Sequence, residues 1–342
     1  MFENSAKTEI NNLGEFGLID HLVQHFPIKQ KESIMGPGDD AGILNPGDKK
    51  VLISTDQLIE GVHFDLSFHP LRHLGYKAVV VGISDIIASG GTAKQIYLNL
   101  AFSSRFPLDA IEELYAGVKI ACDKYKVDLA GGDIASSRSG LSISITAVGL
   151  AKDEEIINRN GAKEGDIICV SGDLGSAYMG LLLLEREKKV FLENPKMQPD
   201  LEGKDYIIGR QLKPDAKVEV LKKIKASKAK ITSMIDVSDG LASDIKHLCK
   251  SSELGAVIFE TKLPIDQLTW DQATEFNMEP TMAALNGGED YELLFTVSKE
   301  DYEKIQQVEE ISIIGYMTPK HEGVMLMTKN DNKFEIRAQG WK

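Results

Sequence analysis

At 342 residues the chain is longer than one hydrophobic core usually organises, so two domains are expected, each large enough to bury its own interior. Apolar residues make up 42% and charged residues 27%, which argues against a disordered chain. A formal net charge of −13 argues against a nucleic-acid groove or an anionic membrane surface as partner, since both select clustered Lys and Arg.

The opening segment, MFENSAKTEI, lacks the apolar core of a signal peptide, and no later stretch approaches the ~18 uninterrupted apolar residues of a membrane helix. A soluble cytoplasmic protein is expected. Residues 14–26 place Phe16, Ile19, Leu22 and Phe26 at helical spacing, with His21 and His25 on the polar side. Gly36, Pro37 and Gly38 then predict a tight turn that delivers Asp39 and Asp40 together. A strand over Val51 to Ser54 is expected to end in Ser54, Thr55 and Asp56. Carboxylates and hydroxyls on a turn and a strand end are hard oxygen ligands of the kind Mg²⁺ prefers. The acidic pair also reads simply as a solvated turn.

Pro70 suits a helix start, and one helix is predicted up to Gly90 and Gly91, almost wholly apolar past Lys77. Asp85 is its anomaly. It shares a small-residue stripe with Ala78, Gly82 and Ser89, and a buried carboxylate must be hydrogen-bonded, paired or metal-bound. Residues 95–103 alternate as a strand. Pro107 opens a further helix with Leu108, Ile111, Leu114, Tyr115, Val118 and Cys122 as its apolar stripe. A short strand from Val127 is expected to stop at Gly131, Gly132 and Asp133, and residues 141–151 form a strongly β-branched strand. The first domain, residues 1–152, is thus mixed α/β. A polar connection follows and carries Arg159, which by composition reads as a surface arginine.

The second domain, residues 153–342, opens with a strand over 166–171. Gly172 and Gly175 precede a helix over 176–187 and could cradle a phosphate on free amides, although no Walker A signature is present. Residues 188–205 read as an exposed loop, and residues 215–224 as a helix. A strand then ends at Asp236, with Ser238 and Asp239 either capping the next helix or serving a site. Ser84-Asp85-x-x-Ala88-Ser89 is echoed by Ser238-Asp239-x-x-Ala242-Ser243, as if two similar halves each sent an aspartate to a common cleft. A Gly-Gly turn carries Glu289 and Asp290 into another strand, and strands over 311–316 and 323–327 follow. Trp341 reads as an anchor for the chain end. Cys122, Cys169 and Cys249 are spaced for neither zinc nor redox chemistry and are expected as buried small hydrophobes.

Taken in order, GPGDDAG, STDQLIEGVHF, KAVVVGISDIIASG, GGD, the NRNGAKEGD loop, IDVSDGL and GGEDYEL resemble the thiamine-monophosphate kinase family. That family is related to phosphoribosyl-aminoimidazole (AIR) synthetase and selenophosphate synthetase. The resemblance implies a two-domain PurM-like fold of the α/β (α+β) class, with N-terminal halves pairing in a homodimer. Asp40, Ser54, Thr55, Asp56, Asp85, Asp133, Asp236 and Asp239 fall on magnesium positions, of which Asp56, Asp85 and Asp133 are the expected catalytic centre. Gly132, Asp133, Arg159 and Ser238 fall on ATP-contacting positions. His63, Glu289 and Trp341 fall on positions contacting thiamine phosphate. The implied reaction transfers the γ-phosphoryl group of ATP to thiamine monophosphate, with several Mg²⁺ ions as cofactors.

On this reading the acids from Asp40 to Asp239 are expected to converge in one nest between the domains. The acceptor phosphate, with a second pKa of about 6, is already ionised at neutral pH and needs no general base. Two segments depart from the family pattern: Gly82, where Asn is usual, and Ile134-Ala135-Ser136 after the Gly-Gly-Asp. Two competing readings stand beside it. One is another ATP-using PurM-like synthetase, which would carry a reactive Cys or selenocysteine near one end of the chain. The other is a non-catalytic nucleotide-binding regulator.

Overall fold

The computed structural model describes residues 14–36, 43–103 and 105–338. The chain divides into two units, Met1–Ile86 with Gly91–Glu155, and Ile87–Gly90 with Ile156–Lys342.

In the first unit, α1 (Gly14–Val23) and the short pair β1 (Ser33–Met35) and β2 (Ile43–Leu44) precede β3 (Lys50–Ile59). Then come α2 (Leu71–Ala88), β4 (Thr92–Phe102), α3 (Leu108–Tyr125), β5 (Asp128–Ser136) and β6 (Ser142–Ala151). The sheet order is β3-β6-β4-β5, with β4 and β5 parallel and the other pairs antiparallel. The apolar stripe expected for α3 is buried throughout, because spacings of three and four keep it on one helix face. The two helices cross at glycines. A Cβ on Gly75 would stand 2.0 Å from the Leu114 carbonyl oxygen, and one on Gly117 1.8 Å from that of Arg72. Only residues without side chains allow backbones to approach so closely.

Two strands outrun their expected ends. β3 passes straight through Ser54, Thr55 and Asp56, because β6 offers a ten-residue ladder from Ala151 to Ser142 that pairs with all of it. β5 likewise continues through Gly131, Gly132 and Asp133 to Ser136, paired with β4 after a bulge at Ile96 and Tyr97. A Cβ on Gly132 would fall 2.0 Å from the Leu98 carbonyl oxygen, so here the glycine permits close strand approach rather than a turn.

The second unit contains β7 (Ile167–Ser171), α4 (Ser176–Glu193), α5 (Asp205–Leu212), α6 (Val218–Ala226), β8 (Ile231–Asp236) and α7 (Leu241–Ser252). It continues with β9 (Leu254–Phe259), α8 (Gln267–Glu275), α9 (Pro280–Asn286), β10 (Leu293–Val297) and α10 (Tyr302–Gln306). β11 (Ile311–Pro319), β12 (Val324–Met327) and β13 (Lys333–Glu335) end it. Seven strands run in the order β13-β12-β9-β11-β7-β10-β8, antiparallel except for β12 beside β9. Ile168 and Val170 of β7 and Leu294 of β10 pack with Leu241, Ile245 and Leu248 of α7 in the main core.

α4 runs past its expected end at 187 into the supposed loop, since Glu, Arg and Lys are good helix formers and the first breaker is Pro195. The eight residues of α5, also within or beside that loop, show no apolar stripe long enough to announce a helix. All three cysteines are buried, and burial pushes the thiols of Cys122 and Cys249 up to about 12, as their inert role requires.

Candidate active site

Alternation along β3 decides which of its polar side chains can meet. Ser54 and Asp56 lie on the half-buried face, while Thr55 is exposed on the other and accepts from Thr146 Oγ1 at 3.2 Å. Ser54 Oγ donates to Asp85 Oδ2 of α2 at 2.5 Å. Asp85 is thus half-buried and hydrogen-bonded rather than sealed in the helix core. A Cβ on Gly82 would come within 3.0 Å of Ile145 Cγ2 of β6. A side chain at position 82 would therefore require Ile145 to give way.

Asp56 is pushed up to about 7, first by burial and then by the negative charge of Asp85, with the Ser54 hydroxyl partly offsetting both. Its Oδ2 is buried without a hydrogen-bond partner among the described residues. Two carboxylates and a hydroxyl, one oxygen orphaned and the charges in conflict, fit a hard divalent cation. Among the described residues no three His, Cys, Asp or Glu side chains form a metal cage. That is compatible with Mg²⁺, which typically takes one or two carboxylates and completes its shell with water and substrate phosphate.

Asp133 is exposed and sits opposite Asn99 on β5, at the far edge of the sheet from β3. Three strand spacings separate the edges, about 14 Å of backbone, so Asp56 and Asp133 are too far apart to ligate one ion together. Ile134, Ala135 and Ser136, the second departure from the family pattern, simply extend the β5 ladder beside Leu100, Ala101 and Phe102. His63 lies just after β3, its Nδ1 accepting from the Ile59 amide at 3.1 Å. Asp40 and Trp341 lie outside the described residues.

The second unit holds another acidic group. Asp236 ends β8 and is buried, Asp239 is exposed, and the Asp239 amide donates to Asp244 Oδ2 at 3.3 Å. Asp244 is pushed up to about 8 by burial, then by the charges of Asp236 and Asp239, while exposed Arg159 acts the other way. Neither Ser238 nor Asp239 caps α7, as expected of them on structural grounds. Gly240 holds the N-cap position with φ +98° and has no side chain to cap with.

Asp244 was not anticipated. Its signal lay in position, one turn after Leu241 on the buried stripe of α7, where an aspartate is as anomalous as Asp85 in α2. The turn from Gly287 to Glu292, which joins α9 to β10, holds further buried acids. Asp290 is fully buried, with Oδ2 accepting from the Gly175 amide at 2.9 Å, and burial pushes it up to about 7. Glu292 meets Arg210 at 2.9 Å and Lys217 at 2.7 Å.

The structure therefore brings Ser54, Asp56 and Asp85 together in one unit, and Asp236, Asp239 and Asp244 with Arg159 in the other. Comparison with known proteins places these groups in context. Residues 38–151 match the model of the AIR synthase related protein N-terminal domain, and residues 163–327 that of its C-terminal domain. The chain is 36% identical over 333 residues to the thiamine-monophosphate kinase of Aquifex aeolicus, covering 97% of this chain and 99% of that one. To the thiamine-monophosphate kinase of Bacillus subtilis it is 31% identical over 335 residues, covering 96% and 99%. The solved AaThiL complexed with AMPPCP and TMP is similar with a TM-score of 0.74 at 33% identity, over 99% of both chains. Spanning both domain models and nearly the whole length of these kinases, the chain belongs to the thiamine-monophosphate kinase family.

Proposed function

We propose that the chain transfers the γ-phosphoryl group of ATP to thiamine monophosphate, giving ADP and thiamine diphosphate. The observation that carries this reading is the near-full-length likeness to a kinase solved with an ATP analogue and TMP. The oxygen-donor group of Ser54, Asp56 and Asp85 agrees with it.

In the transfer, an oxygen of the acceptor phosphate bonds to the γ-phosphorus as the bond to the β–γ bridging oxygen breaks, in line. The acceptor oxygen is already ionised, so no side chain has to remove a proton. Asp56, Asp85 and Ser54 are the proposed ligands of one Mg²⁺, with Asp40, Thr55, Asp133, Asp236 and Asp239 as ligands of further ions. Bound Mg²⁺ supplies charge neutralisation and alignment of the phosphate oxygens, on which phosphoryl transfer chiefly depends.

Arg159 contributes a fixed positive charge to the ATP phosphates. Gly132, Asp133 and Ser238 contact the nucleotide. On the acceptor side, His63, Glu289 and Trp341 bind thiamine monophosphate: Glu289 accepts from the aminopyrimidine amino group, and the Trp341 indole stacks on the cationic thiazolium for roughly 0.5–2 kcal/mol. The first domain, residues 1–152, would pair with its copy in a homodimer, and the reaction would run in the cytoplasm.

Incubating the purified protein with ATP, Mg²⁺ and thiamine monophosphate tests the reading, with chromatographic detection of thiamine diphosphate as the positive outcome. ADP without thiamine diphosphate would favour a sibling synthetase instead. ATP binding without any turnover would favour a regulator.

A further inference from the structure

Two neighbouring side chains of α5, Arg210 and Gln211, reach the acceptor-side turn. Gln211 is 2% exposed, and its Nε2 donates to Glu289 Oε2 at 2.8 Å. The helix that carries it has little freedom: at Gly180 of α4 a Cβ would stand 2.1 Å from the Ile207 carbonyl oxygen and 3.1 Å from Gln211 Cβ. The turn is equally constrained. Gly288, Glu289 and Tyr291 all have positive φ, +72°, +57° and +50°, a conformation that two of these residues hold against their intrinsic preference. Tertiary bonds hold it there. Ser238 O accepts from the Glu289 amide at 2.7 Å, Val237 O from the Tyr291 amide at 2.8 Å, and Asp290 Oδ2 from the Gly175 amide at 2.9 Å. Next to Gln211, Arg210 grips Glu292 at 2.9 Å.

The backbone bonds fix where Glu289 starts, and the amide of Gln211 fixes where its carboxylate ends. Building on the phosphorylation reading above, we propose that Gln211 is a positioning residue for the acceptor, holding the Glu289 carboxylate in the one orientation that accepts from an aminopyrimidine. A neutral donor suits this task. It occupies an oxygen of the carboxylate and leaves its charge in place, whereas a lysine at that position would neutralise it. The result is selectivity: a ring bearing an amino group donates to Glu289, while one bearing a carbonyl at the same position presents a second acceptor and leaves a polar group unpaired.

The test uses the full chain and steady-state kinetics with two acceptors, thiamine monophosphate and its analogue with a carbonyl in place of the pyrimidine amino group. Gln211→Met keeps the side-chain length and deletes the donor. Expected is a rise of about tenfold in KM for thiamine monophosphate and a similar loss of preference over the carbonyl analogue, the size of one charge-assisted hydrogen bond. The KM for ATP should stay within about twofold, because the bond removed lies on the acceptor side.

Gln211→Glu supplies an internal check. It should bind thiamine monophosphate poorly at pH 8 and recover towards pH 6, where a proton shared by the two carboxylates restores a donor, while its unfolding temperature at pH 8 stays close to that of the wild type; a loss of binding that only follows unfolding at pH 8 would count against the proposal. Unchanged acceptor preference in Gln211→Met, or equal rises in both KM values, would overturn the proposal while leaving the phosphorylation reading intact. A wild-type chain that forms no thiamine diphosphate would overturn both.

Discussion

Asp56 sits between two demands. Its carboxylate is crowded by Asp85 and half withdrawn from water, yet the proposed role as a Mg²⁺ ligand would need it ionised. Asp56→Asn should therefore lower kcat by about 10²-fold or more, the loss typical of deleting one charge-stabilising group. The unfolding temperature of the metal-free protein should not fall, since the change removes a repulsion. Near-normal turnover in this variant would sink the metal assignment. The pH dependence follows from the same crowding. Asp56, Asp244 and Asp290 are raised from 3.8 to about 7, 8 and 7, so between those limits the folded state holds more protons than the unfolded one. Stability of the metal-free protein should then decline as pH rises from about 5 to 8. Added Mg²⁺ should stabilise more at pH 8 than at pH 5, because binding requires the deprotonated acids. Thermal unfolding across that range with chelator and with Mg²⁺ measures both slopes. Asp85 could be singled out in the sequence because it interrupts an apolar helix. Asp244 escaped because α7 is shorter and mixed in character, so one more acid raised no contrast.

The elements were legible where their own residues set the pattern and obscure where a partner did. α3 announced itself by its stripe, and α2 by its apolar length, yet the crossing that joins them rests on Gly75 and Gly117, which carry no such signal. Gly117→Ala would drive a methyl group against the Arg72 carbonyl, 1.8 Å from the new Cβ position, and the helices must part. A loss of roughly 1–3 kcal/mol in denaturant unfolding is expected, the usual penalty of overpacking. Because α2 also carries Asp85, whose bond to Ser54 needs that seat, kcat should drop as well; a stability loss with full activity would show that the Asp85 contact survives the shift. The ends of β3 and β5 were misplaced for a related reason. Ser54-Thr55-Asp56 and Gly-Gly-Asp look like stops in isolation, but ladders with β6 and β4 carry the strands through them. Strand length belongs to the pair, and a sequence shows only one member at a time.

At the scale of the molecule, the first unit's main segment ends at Glu155, in the polar, charged stretch after β6, and the two family models divide in the same region. What the sequence concealed is which face of the four-stranded sheet stays open. β3 is apolar on both sides: Leu52 and Leu58 point inward, while Val51, Ile53 and Ile59 are exposed, Ile53 by 68%. Exposed Thr55, Gln57 and Asn99 occupy the same open face. A row of exposed aliphatic side chains on a rigid sheet is what a self-complementary, two-fold interface uses, because each copy offers the other the same patch. On the homodimer reading this face is where the first domains meet. Wild-type protein at micromolar concentration should sediment at twice the mass of the chain, and Ile53→Glu, which places two charges across the contact, should sediment as a monomer. The variant should fold normally, since the side chain is largely exposed within one copy. A wild-type monomer would remove the homodimer, and a variant that stays dimeric would move the interface off β3.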